Sequence, residues 1–468
     1  MYNIVGKQFD NSCFRWYNIA ILPTEESMLR IRAKSPELFD SLLPEELRKL
    51  PEELERVNEL LDNPAIVEPF IKRFNVLMGR PCVPIETYVR LMYLKFRHQL
   101  GYETLVAEVS DSYAWRRFCG IGYNDRMPDS TTLIKLTHKY GEETIKELHN
   151  ALIAGLKAKR LIRGRKIRMD TTVVEANVHY PTDASVLTDG LRRMYKQMGH
   201  IAKSGLRLGR SYKKVKKLLF SISQHLRKRS NASQDKVRKI NKNIISIANA
   251  VISKVRDVIK NKKGISKHRK NIISNTASIT QQVAAQSLER MDGIKPQYRI
   301  VSIHDPEARP IVKGKLDKPV QFGRIAAIVQ DESGYITVAQ AHQGNPAEVN
   351  MTQQLVNEHQ DVCSCKVKAI AADTGFSSDE NIQALARSGI KHIGIPARGK
   401  PMPEVRKKQK QTWFKKLRAF RAGIEGVISF LKRSFGFGRS MLRGNTGTSV
   451  WVSWAVITAN LYRFGKNI

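Results

Sequence analysis

The chain has 468 residues, 41% of them hydrophobic, and a formal net charge of +37. That length supplies core for two or three domains, and a charge this positive points to nucleic acid as the partner. A membrane surface is the rival partner, but no stretch reaches the ~20 apolar residues of a spanning helix; the longest candidate, residues 450–461, contains Ser453 and Asn460, and no membrane partner is expected.

The opening MYNIVGKQFDNS does not have the pattern of a secretory signal. The five cysteines (Cys13, Cys82, Cys119, Cys363 and Cys365) are scattered, and only the last two are close, as C-S-C. That spacing does not match a zinc pair, so free thiols in a reducing cytoplasm and no structural metal are expected. Residues 1–83 read as helical and locally acidic, with Ser35-Pro36-Glu37 and Pro51-Glu52-Glu53 as cap-like starts and leucines at helical spacing. This is a packing or dimerisation module without visible chemistry.

Residues 84–160 read as a run of short helices. Tyr88, Leu91, Leu94 and Phe96 begin one, Leu105, Val106 and Val109 a second, and YAWRRF (113–118) a third. Pro128-Asp129-Ser130 opens a longer helix through Leu133, Leu136 and Tyr140, with Asp129 or Ser130 as N-cap. Arg116 and Arg117, expected to be exposed beside aromatics, fit a helix-turn-helix DNA reader. They fit the surface of a plain helical bundle equally well.

At Arg165 the pattern changes. RKIRMDTTVVEANVHYP is β-branched and alternating, so a strand covers about residues 167–175. Asp170 sits in its middle, where a carboxylate is unfavourable and, if buried, costs several kcal/mol unless paired or metal-bound. Glu175, five residues on, points to the opposite face. Residues 185–295 then interrupt the strand region. Between positions 191 and 270 there are 25 Lys+Arg against 2 Asp. Apolar residues step by three and four through Val215, Leu219 and Ile222, and again from Val237 to Val258, with breaks at SNAS (230–233) and NKKG (261–264). Two or three long helices packed as a coiled hairpin follow from this. The near-absence of acids favours phosphate binding by outer faces that include Lys213, Lys214, Lys216 and Lys217.

Strand signals return at QFGRIAAIV (321–329) and YITVAQA (335–341), which flank QDESG as an antiparallel hairpin. An amphipathic helix spans residues 348–359. VKAIAA (367–372) is apolar enough to be buried on both faces and ends at Asp373-Thr374-Gly375. Ser377 or Ser378 caps a helix through Ile382 and Leu385 that ends at Gly389, and KHIGIP (391–396) is another strand. RAGIEGVISFLK (421–432) closes the set. On a helix, Arg421, Glu425 and Lys432 share one stripe, which alone could be an ordinary salt-bridged face. The strand and helix order gives a mixed α/β sheet with helices on both faces.

Three acids stand out: Asp170 in the first strand, Asp373 at the carboxyl end of a parallel-type strand, and Glu425 between cations. If the first and fourth strands are neighbours, the aspartates meet and Glu425 can reach them. Oxygen-only ligands suit Mg²⁺ or Mn²⁺, and such a centre in a strongly basic protein suits phosphodiester chemistry.

The segments D-T-T-V-V-E-A-N-V-H-Y-P-T-D (170–183), A-D-T-G-F (372–376), R-x₃-E-x₆-K (421–432) and H-D-P-E-A-R-P (304–310) with F-G (322–323) resemble the bacterial insertion-sequence DDE transposases with a ribonuclease-H-like catalytic domain. The resemblance covers the helical region from about Pro84 and nearly all of residues 165–464. It implies Asp170, Asp373 and Glu425 as metal ligands, and Arg421 and Lys432 as contacts to the phosphates of the transposon end. The family's signature tyrosine would fall at position 418, which is Arg418 here. The large insertion follows the first strand, whereas in many relatives it precedes the last helix.

The implied organisation is a helical region (1–83), a possible DNA-binding helical domain (84–160), a ribonuclease-H-like domain (161–184 and 296–468) and the basic insertion (185–295). The implied activity is binding of double-stranded element ends, cleavage there, and joining of the 3′-hydroxyl to target DNA. It would proceed in the bacterial cytoplasm at the nucleoid, in a homodimer or larger synaptic complex. A metal-dependent nuclease without strand transfer and a non-catalytic DNA-binding protein are the alternatives. His179 and His304 read as turn or surface residues, Asp305 as structural in a D-P turn, and Arg309, Lys313 and Lys315 as further phosphate contacts.

Overall fold

The structure is a computed structural model that describes residues 44, 49–73, 83–122, 124–199, 209–226, 231–261, 264–312, 319–400 and 402–466. Most of residues 1–48 lies outside these, as do Cys13, Cys82, Lys313 and Lys315. The three cysteines that are described, Cys119, Cys363 and Cys365, are free.

Among the described residues the N-terminal part is helical: α1 (Glu52–Leu61), α2 (Glu68–Ile71), α3 (Ile85–Arg97), α4 (Tyr102–Asp111), α5 (Tyr113–Phe118) and α6 (Ser130–Ala158). Asp129 caps α6 by accepting from the Thr131 backbone N–H at 2.7 Å. Gly141, at φ +71°, puts a kink in that helix that a residue with a side chain would rarely adopt. One expectation fails here. Arg116 is buried, and its guanidinium donates to the carbonyls of Gly122 and Asp125. It closes the turn after α5 and does not face solvent, while Arg117 beside it is half-buried.

The sheet contains seven strands among the described residues. β1 (Lys166–Ala176) is its centre. β3 (Val320–Asp331) pairs antiparallel with β1 along nearly its whole length. On the far side of β3 lie β2 (Arg309–Val312) and β4 (Ile336–His342), both antiparallel to it. β5 (Ala369–Ala371) runs parallel to β1, and β6 (His392–Gly394) parallel to β5. The two-residue β7 (Arg439–Ser440) joins β1 at Glu175 and Ala176. First and fourth predicted strands are therefore neighbours. The short β2 and β7 were not legible, since neither is long enough to alternate. Gly323 faces Glu175 in the register; a Cβ there would stand 2.1 Å from the Val174 carbonyl oxygen, which accounts for the glycine of the F-G pair.

Among its described residues the insertion has four helices and not two or three: α7 (Asp183–Gly199), α8 (Gly209–Leu226), α9 (Asn231–Asn261) and α10 (Lys267–Met291). They enclose their own core, built from residues such as Leu187, Met194, Val215, Ile244, Val251 and Val283. The extra helix is α7, whose Leu187, Leu191, Met194 and Met198 repeat at helical spacing. Its neck is tied by Asp183, which pairs with Arg290 and, at 3.4 Å, with Arg299.

After β4 the chain continues through a 3₁₀ turn (Glu348–Met351), α11 (Thr352–Cys363), β5, α12 (Asp379–Arg387), β6, α13 (Pro403–Lys410), α14 (Thr412–Ser434), β7 and α15 (Gly444–Gly465). Ser378 caps α12 through its hydroxyl. α15 is buried over most of its length, and its side chains join the N-terminal helices, β3, β4 and α14 in one core. This central position explains the apolar run at 450–461. Its Asn460 is also explained: the side chain accepts from Ile336 N–H at 3.0 Å and donates to Ile336 O at 2.8 Å, satisfying the outer edge of β4. Among the described residues no helix is long and apolar enough to cross a membrane.

Candidate active site

The site lies where the partners of β1 run out. β5 covers residues 166–168 of β1 and β7 covers 175–176; the stretch between has no strand on that side among the described residues. Alternation turns Arg168 and Asp170 towards α14 and Met169 and Thr171 towards α11. Arg168 secures the helix: Nη1 donates to the Phe420 carbonyl at 2.6 Å and Nε to Gln330 at 2.8 Å. Its guanidinium carbon and the Lys166 ammonium stand 4.8 Å and 4.2 Å from the Phe420 ring centroid. Gly423 permits this close crossing, because a Cβ there would be 2.2 Å from Arg168 Nη1.

Asp170 is buried. One oxygen accepts from the Thr171 N–H at 2.7 Å; the other faces Arg421 Nη2 at 3.5 Å. Asp373 caps a single 3₁₀ turn, accepting from Gly375 N–H at 2.8 Å. Its second oxygen lies 3.7 Å from the same Arg421 nitrogen. Arg398 braces this turn from outside, donating to the carbonyls of Thr374 at 3.1 Å and Gly375 at 2.6 Å. Glu425, one turn beyond Arg421 on α14, is 3.2 Å from Arg421 Nη1. The three carboxylates come from a central strand, a strand end and a helix, and all face one guanidinium. Their exposure rises from 11% for the Asp170 side chain through 34% for Asp373 to 67% for Glu425, so the site is open on the Glu425 side.

Three carboxylates around one guanidinium leave a formal deficit of two positive charges. The donor set is oxygen-only and hard, which suits a divalent cation. Because Arg421 stands between them at 3.2–3.7 Å, the acids are not drawn to ligand spacing, and among the described residues no three His, Cys, Asp or Glu side chains stand close enough together to hold a metal ion.

Lys432 lies two turns along α14 from Glu425 and lines a cavity of about 1010 Å³ together with Glu175, Gln321, Arg439 and Trp451. Lys95, on the same wall, is buried beneath Phe96, Tyr102 and Trp451. Burial pulls its ammonium down to about 8. Glu175 pairs with Arg439 at 2.8 Å.

Lys213, Lys214, Lys216 and Lys217 are exposed on α8, on the insertion and apart from the acids. His179 is exposed and held locally by Ser185 at 3.3 Å. His304 is exposed too, and its imidazole is pulled below the usual range by partial burial and then by Arg443 and Arg193. Asp305 is structural: buried, it takes both terminal nitrogens of the buried Arg324 at 2.7 and 2.9 Å. Arg309 donates to the carbonyls of Pro306 and Ala308, so its guanidinium serves its own loop. Arg418 is exposed on α14, and Trp413 packs on His392 of β6 with centroids 5.0 Å apart. Sequence reasoning missed Arg168, Arg398 and Glu348; the last accepts from the Thr171 hydroxyl.

Residues 42–139 match the family model described as a transposase domain (DUF772). Residues 305–461 match the transposase DDE domain. The second match holds Asp373 and Glu425 and begins beyond Asp170 and the insertion. Over 145 residues the chain is 26% identical to the uncharacterized protein ORF8 in the nfe locus of Rhizobium meliloti, covering 30% of this chain and 69% of that protein. No solved structure matches. With two transposase domains on either side of a basic insertion, and a mixed ribonuclease-H-like sheet beneath the second, the chain belongs to the insertion-sequence DDE transposases.

Proposed function

We propose that the protein binds the double-stranded ends of its element, cleaves the strand there and joins the freed 3′-hydroxyl to target DNA, with Asp170, Asp373 and Glu425 as the acid centre. The observation that carries this is the convergence of the three carboxylates on Arg421. Asp170 and Asp373 would hold Mg²⁺ or Mn²⁺ from the sheet, and Glu425 from the open side. Such a cation supplies activation of a water or 3′-hydroxyl and charge stabilisation at the leaving oxygen.

The protein's own residues do the rest. β1, paired along most of one edge, fixes Asp170, and the Arg398-braced turn fixes Asp373, so little reorganisation is needed when a phosphodiester arrives. With a cation held by the three carboxylates, Arg421 would be free to contact a DNA phosphate, for which its planar fork is suited. Lys432 offers a second phosphate contact from the cavity wall. The exposed lysines of α8 extend the positive face over neighbouring duplex. Pairing of two element ends calls for at least a dimer.

The test is an oligonucleotide carrying one element end, incubated with Mg²⁺ and a target duplex. Asp170→Asn and Glu425→Gln are expected to retain end binding and lose both cleavage and joining. Cleavage by either variant at the wild-type rate rejects the assignment. Wild-type cleavage without any joined product turns the reading into that of a nuclease. Binding without Mg²⁺-dependent cleavage turns it into that of a non-catalytic binder.

A further inference from the structure

A fourth carboxylate approaches the same end of the sheet from the other side. Glu348 opens the 3₁₀ turn before α11 and is half-buried. Its Oε1 accepts from the hydroxyl of Thr171, the residue after Asp170. Its Oε2 lies against the Cα of Gly375: a Cβ there would be 1.7 Å from Glu348 Oε2 and 3.0 Å from Asp373 Oδ1. Gly375 is also the residue whose N–H holds Asp373, at 2.8 Å. The glycine of A-D-T-G-F thus leaves room for a carboxylate.

Glu348 therefore touches the neighbour of one aspartate and the capping turn of the other. It bridges β1 and the end of β5 where β5 no longer pairs with β1. The bond from the Thr171 hydroxyl does not itself require a charge, since a glutamine of the same shape would accept it equally well. A full negative charge beside two aspartates is unfavourable by itself and favourable once a cation is close.

We propose that Glu348 is a positioning residue of the acid centre. It fixes the spacing of Asp170 and Asp373 from the α11 side, and its charge strengthens their hold on a divalent cation. This rests on the acid-centre reading above. The positions that support metal ligands without binding the metal commonly govern affinity by on the order of 10-fold or more.

The experiment is titration of the full-length protein with Mn²⁺ alone, following the free-ion electron paramagnetic resonance signal, beside the Mn²⁺ dependence of end cleavage. Glu348→Gln keeps the shape and removes the charge; Gly375→Ala keeps the charge and displaces the carboxylate. Both are expected to raise the half-saturating Mn²⁺ on the order of 10-fold in binding and in cleavage. A Glu348→Gln variant that binds Mn²⁺ as the wild type does overturns the inference. So does a loss of cleavage in Glu348→Gln with no change in Mn²⁺ binding. Asp170→Asn separates this from the reading beneath it: if Asp170→Asn also binds Mn²⁺ normally, the acid centre itself is rejected. If only the Glu348 variants do, the acid centre stands and the positioning role alone falls.

Discussion

The buried pair of Asp305 and Arg324 ties the chain leaving the insertion to the strand beside the acid centre, and its removal should be costly. Arg324 is 1% exposed and Asp305 4%. Asp305→Ala leaves a guanidinium with one strong partner, the Asn445 side chain at 2.6 Å. Breaking a buried pair from one side costs about 3–5 kcal/mol. Glu307, 3.6 Å from Arg324 and half exposed, takes over part of the charge, which favours the lower end, about 3 kcal/mol. At roughly 2–4 °C per kcal/mol for a body of this size, the melting transition should fall by about 6–12 °C. Differential scanning calorimetry at one protein concentration and scan rate measures it; a fixed rate is needed because chains of this length often unfold irreversibly. The paired change Asp305→Leu with Arg324→Met removes the uncompensated charge and should recover most of the loss. A melting point for Asp305→Ala within about 2 °C of wild type, against that expected fall, refutes the reasoning. A double variant no better than the single refutes the charge as its cause.

Three further outcomes are expected. Replacing Lys213, Lys214, Lys216 and Lys217 together by alanine should weaken duplex binding at low salt and reduce the slope of log K against log salt by about one per lost phosphate contact; an unchanged slope would move the DNA face elsewhere. Burial pulls the His149 imidazole down to about 4 from 6.5. Its neutral form therefore contributes stability that is complete above pH 6.5 and lost as pH falls towards 4, on the order of 3 kcal/mol in all. Denaturant midpoints followed across that window should drop more steeply for wild type than for His149→Gln, and parallel curves would refute this. Arg116→Ala strips two loop carbonyls of their donor and should destabilise by about 1–3 kcal/mol, while DNA affinity per folded molecule stays unchanged; a selective loss of affinity would return Arg116 to the DNA face.

The residues that announced the site did so by local anomaly. Asp170 is a carboxylate in the middle of a β-branched strand, Asp373 ends an apolar one, and Glu425 interrupts an apolar helix. Those features depend on a few neighbours, so they were legible. What Arg421 does was not, because its contact with Asp170 spans 251 residues; helical spacing could show only its pairing with Glu425. Arg116 misled for a related reason, since its partners are backbone carbonyls, which carry no sequence signal. Glu348 read as an ordinary acid at a helix start, and its meaning depends on a glycine 27 positions later whose missing side chain is the clue. The insertion was legible as helical but not in number, because α7 begins inside a stretch of mixed polarity directly after the strand region.

The placement of that insertion sets an order of events during synthesis. β1, with Asp170, leaves the ribosome first, and roughly two hundred residues follow before Asp373 exists. At about 5–20 residues per second this is an interval of roughly 10–40 s. In that time the four helices can close on their own core through contacts near in sequence, while the first strand still lacks both β3 and β5. The cationic bundle of a newly made chain can thus be complete well before the three carboxylates are brought together.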